Sequence, residues 1–93
     1  MQQLRWTDFA GGEGRIYQVD IDAGGIALTL ETAVELPPSG RSAGSFRLEF
    51  RGPCDPILPQ AIYHFRREAE FADIFIVPVG QDARGTLYEA LFC

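Results

Sequence analysis

The chain has 93 residues, 46% hydrophobic and 23% charged, with a formal net charge of −5 and every basic group an arginine. That length suits one domain that buries about two-thirds of its unfolded surface and needs no metal or disulfide framework, and the composition is that of a folded chain, not a disordered one. The acidic balance argues against nucleic acid as a partner, because phosphate contacts need clustered Lys and Arg.

The first residues, Met1-Gln2-Gln3-Leu4-Arg5-Trp6, lack the basic start and apolar run of a secretion signal. No apolar segment approaches the roughly 18 residues of a membrane span. The expectation is a cytoplasmic protein in which Cys54 and Cys93 are free thiols, since such thiols are kept reduced there. Ten Gly and six Pro exceed the average combined share of about 12% and suit a fold with many turns.

In chain order, Leu4, Trp6 and Phe9 form an apolar group, a short strand or a single helical turn, that plugs one end of the domain. Arg15 to Asp22 alternates, with Tyr17, Val19 and Ile21 on one face and Gln18, Asp20 and Asp22 on the other. Period-two alternation is what lets a strand cover a core with one face while the other meets water. Asp22-Ala23-Gly24-Gly25 supplies the residues a tight hairpin needs, and Ile26, Leu28 and Leu30 start a second strand that runs toward Val34. The stretch from Leu36 to Ser45 has no periodicity and reads as a mobile loop. Phe46, Leu48 and Phe50 alternate with Arg47 and Glu49 as a third strand. Proline has no N–H for a ladder, so Gly52 to Gln60, with three prolines, cannot pair regularly.

Ala61 to Ala72 is ambiguous. Ile62, Phe65, Ala69 and Ala72 lie at roughly helical spacing after Pro59, whereas a strand sets Ala61, Tyr63 and Phe65 against Ile62, His64 and Arg66. Asp73 to Val79 is apolar on both faces, which predicts a centrally buried strand ended by Pro78 and Gly80. Gln81 to Gly85 is a turn. Thr86 to Phe92 closes the domain with Tyr88, Ala90 and Phe92 inward.

The pattern Phe46-x-Leu48-x-Phe50-x-Gly52-Pro53, Leu58-Pro59-Gln60-x-x-Tyr63, Ile74-Phe75-Ile76-Val77-Pro78-Val79-Gly80 and Tyr88-Glu89-Ala90-x-Phe92 resembles a family of small bacterial domains with an FSLxFxGP…LPQGxY…LFLVPVG…YEAVFN-like signature. Leu28 to Leu30 fits the same pattern, so the resemblance covers nearly the whole chain. It implies strand–turn–strand for Ala61 to Val79. It brings no activity, cofactor or catalytic residue. Ala61 stands where the pattern often has Gly, and Cys93 where it often has Asn.

Chemistry is sparse. His64 is the only histidine and with Cys54 supplies two ligands where a structural zinc needs four. Cys54 lies between prolines with no helix start to lower its pKa, and Ser39, Ser42 and Ser45 have no positioned base. Gly11-Gly12-Glu13-Gly14 precedes a strand, so it offers phosphate no helix N-terminus. Most carboxylates alternate outward as a solvated face; Glu89 is expected to pair across strands with Arg47 or Arg51. No cofactor or metal is called for. The best candidate for binding is the proline-stiffened loop, with Asp55, Ile57, Leu58 and Gln60 as its contacts; Leu58 also suits a plug for one end of the fold.

These features predict one mainly-β domain spanning residues 1–93, of about six antiparallel strands in a small barrel or compact sandwich. Its core draws on Tyr17, Val19, Ile21, Ile26, Leu28, Leu30, Phe46, Leu48, Phe50, Tyr63, Phe65, Ile74, Ile76, Tyr88 and Phe92. The expected function is non-enzymatic: a protein-interaction or structural module, an accessory part of a larger bacterial or phage-like assembly, partnered by another protein or by itself. The alternative is a small barrel that carries an apolar small molecule, although six strands usually fill their own interior. An enzyme resting on Glu89, His64 and Cys54 is the remaining reading.

Overall fold

The alternation is realised as six strands: β1 Ile16–Ile21, β2 Gly24–Leu36, β3 Ser45–Gly52, β4 Ala61–Arg67, β5 Glu70–Asp82 and β6 Gly85–Phe92, after a 3-10 turn at Trp6–Asp8. The computed structural model describes residues 3–22 and 24–93. All neighbouring strands are antiparallel, and the order β1-β2-β3-β6-β5-β4 returns to β1, so the sheet closes into a barrel.

The inward positions fill the barrel. Val19, Leu28, Leu30, Phe46, Leu48, Phe50, Ile74, Ile76 and Tyr88 are all fully buried, as expected for a small ring whose lumen is side-chain volume, not a channel. Tyr17 meets the Phe50 ring edge-on at 5.9 Å, and Phe65 lies 4.9 Å from Phe50, geometries that aromatic quadrupoles favour. Ile21, Ile26, Tyr63 and Phe92 pack around this core partly buried.

Both ends are closed by chain segments. At one, the 3-10 turn delivers Phe9, 4% exposed, onto the core, and Trp6 Nε1 donates to the Ala33 carbonyl at 3.1 Å. The helical-turn alternative for the N-terminal group is therefore the one realised. At the other, the proline loop turns Leu58 inward to 5% exposure, and its backbone N–H donates to the Tyr88 hydroxyl at 2.9 Å. That bond satisfies two polar groups that burial alone would penalise.

The β1–β2 hairpin forms with Ile21 opposite Gly24. Ala23 lies outside the described residues, and Gly24 and Gly25 already belong to β2, Gly24 at a φ of +126°. Residues 61–72 take the strand alternative, with Arg67 opposite Glu70 across a connection of Glu68 and Ala69. Gly85 opens β6 at a φ of +120°, where a Cβ would lie 2.0 Å from the Gly52 carbonyl oxygen; only glycine fits this corner.

β5 departs from the expectation of a centrally buried strand. Ile74 and Ile76 are inside, but Phe71 is 63% and Phe75 49% exposed, because among the described residues no second layer covers the outside of the ring. Nor do Pro78 and Gly80 end it. The strand continues to Asp82 through a register shift between Pro78 and Gly80, an irregularity that tolerates a residue without an N–H. A second shift, between Leu30 and Thr32, sets Glu31 out of the β2–β3 ladder.

Candidate functional site: an apolar split between two strands

The loop favoured from sequence divides its four residues between two environments. Leu58 is consumed as the plug, while Asp55, Ile57 and Gln60 are exposed, Ile57 by 51%. The loop is instead tied down: Gln81 Nε2 donates to the Cys54 carbonyl at 2.6 Å, and the Tyr63 hydroxyl donates to the Pro59 carbonyl at 2.7 Å. Burial raises the Tyr63 phenol above its usual range, with smaller contributions from Tyr88 and Asp22.

The more distinctive feature is in the wall. Pairing between β5 and β6 begins only at Val77 and Glu89. Upstream of that point β5, from Glu70 to Ile76, pairs with β4 alone, and Ala90 to Phe92 of β6 pair with β3 alone. The two strands therefore part toward the end plugged by Phe9. Around the opening stand four large apolar side chains exposed to water: Ile62 67%, Phe71 63%, Leu91 55% and Phe75 49%. They line, with Ala72 and Phe92, an open groove of about 630 Å³. A neighbouring cleft of about 350 Å³ reaches inward to Phe9, Tyr17, Phe65 and Ile74, and shares Leu4, Phe71 and Ala72 with the groove.

The strand register explains how these residues meet. Ile62 of β4 is opposite Phe75 of β5, and Leu91 of β6 is opposite Arg47 of β3, which is in turn opposite Val34 of β2. Opposite residues share a face, so the outward positions make one apolar belt interrupted by Arg47. Patches of this kind mark interaction surfaces more often than scattered single residues do.

Charges frame the belt. His64 Nδ1 lies 2.9 Å from Asp73 Oδ1 between β4 and β5. Glu49 and Glu89 face each other across β3 and β6, and neither has an ion-pair partner among the described residues. The expected pairing of Glu89 with Arg47 or Arg51 is thus not formed. Register sets Arg51 opposite Leu87, and its guanidinium turns to Glu31 at 3.2 Å and Asp82 at 3.1 Å, the Glu31 hydrogen bond raising its pKa above the ordinary arginine value. Arg84 completes that cluster on Glu31.

Chemically the split offers apolar walls, backbone groups and carboxylates. His64 is engaged by Asp73, and the exposed Cys54 sits against the Asp82 carbonyl, so the two do not form a nucleophile–base pair. Among the described residues no group of three His, Cys, Asp or Glu side chains could hold a metal ion, and no helix is long and apolar enough to cross a membrane. The signal for the site lies in β5, whose two apolar faces read from sequence as central burial when one of them is an exposed outer row.

The chain belongs to the family described as Domain of unknown function (DUF6916), whose pattern matches residues 4–92. No curated protein and no solved structure matches it.

Proposed function

We propose that this DUF6916 domain is a non-enzymatic protein-interaction module of the bacterial cytoplasm, an accessory part of a larger bacterial or phage-like assembly, which docks through the β5–β6 split. The observation that carries this reading is the belt of Ile62, Phe71, Phe75 and Leu91, each about half exposed or more, around strands that lack their neighbour. Covering the exposed half of such side chains contributes roughly 1 kcal/mol each, about half the value for full burial. The net charge of −5 directs the module toward protein rather than nucleic acid.

The inner cleft supports a second reading, carriage of a small apolar molecule. Its volume of about 350 Å³ falls within the range of small-molecule sites, and aromatic rings wall it.

Photo-crosslinking separates the surfaces. A photoreactive phenylalanine analogue at position 75 in the native host is expected to capture a discrete polypeptide, and the same analogue at position 57, on the proline loop, is not. Capture at position 57 alone would move the docking surface to the loop.

A further inference from the structure

We infer that the split takes a basic, extended polypeptide segment, added as a strand along the open side of β5. This rests on the docking reading and names the partner's chemistry.

Three features point to it. First, β5 from Glu70 to Ile76 is already extended and paired on one side only, so its other side presents a row of backbone donors and acceptors, the template that strand addition uses. Second, a strand placed there alternates like its neighbours. Its inward side chains enter the opening over Ala72 and Phe92, which calls for apolar residues; its outward side chains lie across Phe71, Phe75 and Leu91. Third, the outward row ends at Glu49 and Glu89, like charges directly opposite one another. Such a pair costs stability unless a cation joins it. Arginine meets both outward demands, since its stem and guanidinium cover aromatic rings while its head reaches carboxylate. The protein makes this contact internally: the Arg41 guanidinium stands 5.6 Å and 5.4 Å from the Phe46 and Phe92 ring centres. A second copy of the chain fits less well, because its own split would bring Glu against Glu.

The test titrates the full 15N-labelled chain with a short blocked peptide alternating arginine with valine, and with its counterpart alternating glutamate with valine. The arginine peptide is expected to shift and slow the hydrogen exchange of amides in residues 72–76 and 90–92, and to bind roughly tenfold more tightly than the glutamate peptide. Replacing both carboxylates, Glu49→Gln with Glu89→Gln, is expected to weaken the arginine peptide about fivefold, while the amide spectrum of the free variant reports that it is folded. Equal binding of both peptides at the split overturns the basic-strand inference and leaves the docking reading standing. Shifts at Phe71, Phe75 and Leu91 without slowed exchange overturn strand addition. Absence of any response at the split, together with no crosslink at position 75, overturns both, and self-association through the split overturns the inference in favour of a second copy.

Discussion

Tyr88 and Leu58 show how single atoms hold this fold together. Tyr88 is fully buried, and its hydroxyl is the acceptor for the Leu58 N–H inside the plugged end. Tyr88→Phe keeps the ring but strands that N–H, and the expected loss is about 1–3 kcal/mol in urea unfolding; an unchanged midpoint would show that water reaches the loop. Tyr63 gives a pH signature. Burial raises its folded pKa above the unfolded value of about 10, so the stability tied to its proton is fully present below that pH and is lost as pH climbs from there through the folded pKa. Unfolding measured from neutral pH to strongly alkaline pH should fall more steeply for the wild type than for Tyr63→Phe above pH of about 10. At this scale the plug was legible, because a loop that crosses one end of a β-domain turns an apolar side chain inward; that Leu58 and not its neighbour Ile57 does so was not. The partner of Glu89 was not, since it depends on which residue of β3 stands opposite, and alternation alone carries no register.

Elements formed where their local chemistry was strong. The β1–β2 hairpin and β3 follow from alternation and turn residues, and the closing strand from Tyr88, Ala90 and Phe92. Residues 61–72 were undecided between helix and strand because their helical propensity is genuine; cross-strand pairing with β5 overrides it. The connection there retains a sign of that conflict. Glu68 holds a φ of +57° and Ala69 does not share it, a pattern of the hairpin turn that wants glycine first. Glu68→Gly should therefore stabilise the protein by roughly 0.5–1 kcal/mol, after the entropy of the new glycine is offset. Thermal unfolding checks the sign, and a lower Tm would mean that the exposed Arg67–Glu68 contact at 3.8 Å outweighs the strain.

For the molecule as a whole, a one-layer ring explains both the core and the candidate site. Six strands have an inside filled by side chains and an outside that none of the described residues covers as a second layer, so apolar residues on the outer face of β5 are left to water. A parallel sheet between helix layers buries both faces; a closed antiparallel ring buries one. That distinction is why the run from Asp73 to Val79, apolar on both faces, reads from sequence as a buried strand, and why the proline loop rather than β5 reads as the binding surface. Ring closure also removes most free strand edges, which makes the unpaired stretch of β5 stand out as the place where another chain can add.

The most direct measurement is native mass spectrometry of the untagged protein, gently purified from its host, beside a Phe71→Ser, Phe75→Ser variant whose fold is checked by circular dichroism. The docking reading expects a second polypeptide on the wild type and its loss from the variant. A wild-type chain that carries only a small-molecule adduct, or a bare monomer under every gentle condition, would contradict it.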